Sequence, residues 1–113
     1  MKRSISYLLV FMFWLIVTTA FGQIELKHFN AGWNSVNDVP WFMSLEDAKT
    51  KGYIDIATDT EAQTEHKIAV VPTIIIFKDG EEVARFQADL SFKMVATKKE
   101  VQEEIDNQLM SDF

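Results

Sequence analysis

The sequence predicts an α/β domain: a four-stranded mixed sheet flanked by helices, in the order β-α-β-α-β-β-α. Three observations lead there. Four segments carry alternating or β-branched apolar residues, the pattern of strands. Stretches that open on helix-capping residues separate the first three of these segments, which implies parallel pairing among the early strands. The last two strands are separated only by the turn Lys78-Asp79-Gly80-Glu81, which makes them an antiparallel hairpin.

The elements follow in order. Ile24 to Phe29 alternates apolar and polar residues, as a half-buried strand does, and Asn30-Ala31-Gly32 breaks it. Trp33-Asn34-Ser35-Val36-Asn37-Asp38 is rich in N-capping residues. A helix is therefore expected to start between Asn34 and Asp38 and to run to about Lys49, with Trp41, Leu45 and Ala48 on its apolar face and Gly52 ending the element. Pro40 fits that helix only in its first turn. Tyr53 to Ala57 is the second strand. Thr58-Asp59-Thr60 caps a short helix over about Glu61 to Lys67. Val70 to Phe77 is a dense β-branched run whose continuous hydrophobicity predicts burial on both faces. Glu82 to Gln87 alternates again as its partner. Thr97-Lys98-Lys99-Glu100 is a capping box, and the helix it opens carries Val101, Ile105 and Leu109 at four-residue spacing.

The N-terminus reads as an export signal. Lys2 and Arg3 precede an apolar run from Tyr7 to Val17, and Ala20 and Gly22 are small residues placed as a signal-peptidase site needs. The expected division is a signal peptide over 1–22 and one domain over 23–113, exported to the periplasm or secreted. The alternative is an uncleaved N-terminal membrane anchor, with the domain still outside the cytoplasm; contact with a membrane is expected only in that case. No cysteine follows the apolar run to carry a lipid.

Composition excludes several function classes. The chain has 113 residues and a formal charge of −6; without Lys2 and Arg3, nine basic residues face seventeen acidic ones. Such a chain, with no basic cluster, is a poor match for nucleic acid. There is no cysteine, so disulfides, thiol catalysis and zinc–thiolate sites are all absent. The two histidines do not make a tight transition-metal site, and neither a metal nor another cofactor is expected.

Val71-Pro72-Thr73-Ile74-Ile75-Ile76-Phe77-Lys78-Asp79-Gly80-Glu81 resembles the thioredoxin family's pattern of an aliphatic residue, Pro, Thr, a hydrophobic strand, Phe and a Gly-bearing turn. Phe29-Asn30-Ala31-Gly32-Trp33 resembles the strand and loop that lead into that family's redox motif. The resemblance covers nearly all of 23–113, in a minimal form without the family's extra N-terminal strand and helix. It implies a thioredoxin-like fold with a cis Val71–Pro72 bond. It places Trp33 where the family has the tryptophan before its first cysteine. The family's Trp-Cys-Gly-Pro-Cys becomes Trp33-Asn34-Ser35-Val36-Asn37, and the position of its buried acid is His28. The family's glycine after the last strand becomes Ala88, which is expected to narrow or alter the groove there.

Dithiol exchange needs a thiolate that attacks and a thiol that resolves. Asn34 and Asn37 supply neither, so no oxidoreductase activity and no catalytic residue is expected of this chain alone; Asn34 is expected to survive as a helix cap. His28 is expected to be a strand histidine with its polar tip hydrogen-bonded or near the surface, and His66 to lie near the end of a short helix. Ser35 has no identifiable base partner, and Glu103, Glu104 and Asp106 read as a solvated helix face. Trp41 is expected in the core, and Phe92, Met94 and Phe113 as an exposed apolar patch. The function expected is a non-catalytic module that binds a protein or peptide of unknown identity in the groove formed by Trp33, Asn34, Ser35, Val36, Asn37, Val71, Pro72 and Thr73. The alternatives are an accessory in thiol–disulfide homeostasis acting through a cysteine-bearing partner, and a structural envelope protein.

Overall fold

The computed structural model describes residues 22–111. The apolar run of the expected signal, the rest of that segment up to Phe21, and Phe113 lie outside the described residues. Among the described residues, no helix is long and apolar enough to cross a membrane.

Four strands form one mixed sheet in the order β2-β1-β3-β4: β1 is Ile24–Asn30, β2 Thr50–Asp55, β3 Thr73–Lys78 and β4 Glu81–Gln87. Helix α1 is Thr60–Glu65 and α2 is Lys98–Met110. β1 runs parallel to β2, with His28 opposite Tyr53. It runs antiparallel to β3, with Phe29 opposite Thr73. β3 and β4 form the expected hairpin, with a register shift between Ile76 and Phe77. Asp79 and Gly80 both take positive φ, 53° and 86°, as a two-residue hairpin turn requires.

Alternation along β1 and β3 divides the core in two. Ile24, Leu26, Ile74 and Ile76 pack with Val39, Phe42 and Leu45 and with Val101 and Ile105 of α2. Phe29, Ile75 and Phe77 pack on the other side with Ala31, Ile56, Ala62 of α1, Ile68 and Val71. β3 is buried on both faces, as its unbroken hydrophobicity requires.

Three expectations are corrected. First, no helix spans Asn34 to Lys49. Two short 3-10 segments, Gly32–Asn37 and Phe42–Ser44, stand there instead. Asn, Ser and Asp side chains compete for backbone groups, and a proline, here Pro40, disfavours the helical region for the residue before it. The chain leaves the helical region at Asp38 and Leu45, with ψ 141° and 140°. The apolar residues still reach the core: Leu45 is buried, and Trp41 and Ala48 pack against the same cluster. Second, Gly52 ends no helix; it lies inside β2. Third, β3 is not parallel to its neighbour β1. The connection over 56–72 brings the chain back to the end of the sheet where β2 stopped, and β3 starts there, with Thr73 opposite Phe29.

The expected caps of α1 and α2 are present. Asp59 accepts from the Ala62 N–H at 3.0 Å to start α1. Thr97 and Glu100 complete the capping box of α2. Lys78 closes the other end of α2, donating to the Gln108 carbonyl at 2.7 Å.

Candidate functional site

The sheet register brings the residues of interest to one end. Phe29, Thr73 and Gln87 form a row across β1, β3 and β4. Beyond that row lie the loop Gly32–Asn37, the Val71–Pro72 segment and the loop after β4. The Val71–Pro72 bond is cis. The Pro72 carbonyl accepts from the Ala88 N–H at 3.0 Å, which ties the third strand's entry to the fourth strand's exit. Val71, Pro72 and Thr73, expected to line the groove, are all buried, and Thr73 Oγ1 donates to the Val70 carbonyl at 2.7 Å.

The loop Gly32–Asn37 is held by amides. Asn34 Nδ2 donates to Asn30 Oδ1 at 3.0 Å, and Asn30 Nδ2 donates back to the Asn34 carbonyl at 3.0 Å. Asn37 Nδ2 donates to Asn34 Oδ1 at 2.8 Å, and Asn30 Nδ2 reaches Asp38 Oδ1 at 2.6 Å. Asn34 Nδ2 also reaches the Phe92 carbonyl at 3.2 Å. Asn34 is therefore not a helix cap: the 3-10 segment has Ala31 at its N-cap with no side-chain cap bond, and Asn34 is buried inside it. Its role is to cross-link the loop to β1 and to the loop after β4. An amide does this because it donates and accepts at once.

Around this buried network the surface is apolar. Trp33 is 66% exposed and meets Phe92 edge-on at 5.1 Å. Val36 is 88% exposed, and Leu90, two residues from Phe92, is also exposed. Phe92 stands at φ 64°, a left-handed conformation that bulky residues rarely adopt. A depression of about 310 Å³ runs beside Val36 and Trp41 to Lys93 and Met94. Met94 itself is half-buried against the core rather than part of an exposed patch.

His28 is fully buried on β1, not near the surface. Its ring stacks at tilted angles between Phe42 at 5.3 Å and Tyr53 at 4.7 Å. Nε2 accepts from the Val39 N–H at 3.0 Å. In the neutral ring the proton is therefore on Nδ1, which makes no hydrogen bond of good geometry and has only the residue's own backbone carbonyl as a weak acceptor. Burial pushes the His28 pKa below its ordinary value; the Asp38 carboxylate and the ring's own backbone carbonyl act the other way. Burial and the charge of Asp38 push the Tyr53 pKa up.

A cavity of about 250 Å³ opens beside this ring, with Asn30, Ser35, Asp38, Tyr53 and Asp55 also on its wall. Asp55 Oδ1 accepts from the Gly32 N–H at 3.3 Å and the Ala57 N–H at 2.9 Å. A Cβ on Gly32 would lie 3.2 Å from Asp55 Oδ2, a tight contact that the carboxylate would have to yield to. Among the described residues, no group of three or more His, Asp or Glu side chains is placed to hold a metal. His66 is the C-cap residue of α1, with its ring against Phe29 and Phe77.

Of the residues singled out in the sequence, Trp33, Asn34, Val36 and Asn37 gather in the loop, while Val71, Pro72 and Thr73 join them through residues 88–92. Asn30, Asp38, Tyr53, Asp55 and Phe92 belong to the site although none of them was among the expected groove residues. Tyr53 enters only through the parallel register that sets it beside His28.

No protein-family model matches the sequence, and no curated protein matches it. Solved structures do match. A mutant thioredoxin from Halobacterium salinarum superposes with a TM-score of 0.62 at 19% identity, covering 78% of this chain and 76% of that one. A reduced thioredoxin pre-protein from Schistosoma mansoni gives 0.59 at 22% identity, covering 81% and 85%. Thioredoxin from Fasciola hepatica gives 0.55 at 19% identity, covering 82% and 88%. With its mixed β2-β1-β3-β4 sheet flanked by helices, and without a single cysteine, this chain has a thioredoxin-like fold that lacks the dithiol motif.

Proposed function

We propose that the chain is an exported, non-catalytic binding module that takes an extended peptide of a partner protein across the apolar surface formed by Trp33, Val36 and Phe92. The observation that carries this reading is the apolar surface around a fixed loop: Trp33 and Val36 are exposed over a network of buried amides that leaves them little freedom to fold inward. Exposed aromatic and aliphatic side chains on a rigid support suit protein contacts, because little entropy is lost on binding. With no cysteine, the chain supplies neither thiol of a dithiol exchange. The likeness to thioredoxins supports a second reading, in which the partner brings the cysteines and this chain is an accessory to their redox chemistry.

The test is photo-crosslinking in the native host. A crosslinking residue replaces exposed Ser35 in the exported protein, with a second at Glu104 on α2 as control. A discrete partner captured from Ser35 alone is the expected result, and a Cys-x-x-Cys pair in that partner selects the second reading. Equal capture from both positions, or none, overturns the proposal and favours a structural role.

A further inference from the structure

We propose that the open edge of β2 pairs antiparallel with the same strand of a second copy of this chain, in a register centred on Tyr53. The inference does not rest on the peptide-binding reading.

The sheet ends on β2 at one side and on β4 at the other. Unpaired backbone groups at such edges accept another strand, so natural sheets protect them. β4 is protected: its ladder is broken by a register shift between Ile76 and Phe77, and Glu81 and Glu82 put like charges on it. β2 has neither device. Its six residues keep one unbroken parallel register with β1. Among the described residues, no strand pairs with its other side. Lys51 does not guard that side, since its ammonium turns onto the Met43 and Leu45 carbonyls, each at 2.7 Å. The Ile56 N–H donates to the Asn30 carbonyl at 2.9 Å. Alternation from that bond aims the backbone groups of Gly52 and Ile54 at β1 and turns those of Lys51, Tyr53 and Asp55 outward.

The strand is complementary to itself. With Tyr53 of each copy opposed across a two-fold axis, Lys51 of either copy stands opposite Asp55 of the other. Of the two-fold registers open to β2, only this one forms that pair, and it forms it twice. Opposite charges and aromatic rings directly across a ladder both stabilise it. Tyr53 is 52% exposed, so a second ring has room beside it. On the other sheet face, Gly52 of one copy meets Ile54 of the other. A Cβ at Gly52 would touch nothing within 4 Å, so the space above it admits the partly buried Ile54 side chain. Thr58 and Asp59 already donate to the Asp55 carbonyl. The new ladder therefore consists of the reciprocal Tyr53 bonds and of an Asp55 N–H donating to a Lys51 carbonyl in each direction.

The experiment measures association of the purified protein by sedimentation equilibrium, together with oxidation of single-cysteine variants. The natural chain has no cysteine, so each introduced thiol reports alone. The average mass should rise from one chain toward two between about 10 μM and 1 mM, as a small interface gives. Tyr53→Cys should form a disulfide dimer on mild oxidation, because the Cα atoms of such an opposed pair lie about 5.5 Å apart. Thr50→Cys should not, since in this register the two copies of residue 50 lie about 20 Å apart. Tyr53→Lys sets like charges face to face and should weaken association about tenfold or more. If that variant fails to fold, amide exchange decides in the natural protein: the Tyr53 N–H should slow about tenfold from the dilute to the concentrated sample. A single chain at every concentration overturns the proposal. So does a dimer that Thr50→Cys crosslinks as well as Tyr53→Cys does, or one in which Tyr53 exchange is independent of concentration, because the copies then meet through another surface.

Discussion

The side-chain amide of Asn34 donates to the carbonyl of Phe92 at 3.2 Å, and Phe92 stands in the left-handed region at φ 64°. One buried amide thus holds a bulky residue in a backbone conformation that it would otherwise avoid, at a cost of about 1–3 kcal/mol. The same amide is shared with Asn30 and Asn37. In Asn34→Ala, Asn30 Oδ1 loses its donor and the Phe92 carbonyl is released. Denaturant unfolding should show a loss of about 2–3 kcal/mol, with the 89–93 loop gaining hydrogen-exchange rate. A loss well under 1 kcal/mol would mean that water replaces the amide and the cross-link is incidental.

A thiol placed at this loop should be ordinary. Reactive thiols owe their low pKa to a helix N-terminus or a nearby cation. Here a kinked 3-10 segment replaces the helix, and Asp38 lies close by. The thiol introduced by Asn34→Cys, or by Asn34→Cys with Asn37→Cys, should titrate near the usual value of about 8.5 or above. The pH dependence of alkylation measures this. A thiol ionising below about 7 would show that the loop still activates a nucleophile.

His28 should set the acid side of the stability profile. Its pKa is lowered in the fold, chiefly by burial and against the pull of Asp38. The unfolded chain therefore takes up this proton first as pH falls. The stabilisation is complete above about 6.5, the unfolded value, and drains away as pH falls toward the folded pKa. The lowered carboxyl groups of Asp79, Glu82 and Asp89 act in the same direction at lower pH, below the ordinary carboxylate range. Melting temperature should thus fall between about pH 7 and 5 in the natural protein, and His28→Phe should flatten that interval. An unchanged slope in the variant would assign the effect elsewhere.

Exposure separates the aromatic residues by consequence. Trp33 makes one edge contact and is 66% exposed, so Trp33→Ala should cost no more than about 1 kcal/mol. Phe42 is fully buried between the sheet and α2, so Phe42→Ala should cost about 3–5 kcal/mol. If Trp33→Ala abolishes partner capture at this small cost, the apolar surface is for binding. If it unfolds the protein instead, Trp33 is structural.

Helix α2 offers a local control. Thr97→Ala removes the hydroxyl that accepts from the Glu100 N–H and should lower stability by about 1 kcal/mol. Thr97→Ser should keep most of it. Equal losses in the two variants would show that the hydroxyl is not what stabilises the helix.

The sequence determined what rests on neighbours along the chain. Alternation placed Leu26 and Phe29 on opposite faces, Asp79-Gly80 set the hairpin, Asp59 and Thr97 opened their helices, and the absence of cysteine removed thiol chemistry. The element order, with the resemblance of Val71 to Glu81 and of Phe29 to Trp33 to the thioredoxin family, anticipated the fold. The tertiary structure decided what depends on contacts between distant segments. Capping residues at Asn34 to Asp38 are compatible with a helix, but packing of Val39, Phe42 and Leu45 against β1 and β3 holds the chain in 3-10 turns around Pro40. The direction of β3 against β1 was settled by where the connection over 56–72 returns to the sheet. The pairing of His28 with Tyr53, the bond from Asn34 to Phe92 across 58 residues, and the cavity between Asp38 and Asp55 have no local signal. Each is a product of strand register, and register is settled by burying all the apolar faces together, not by any one segment.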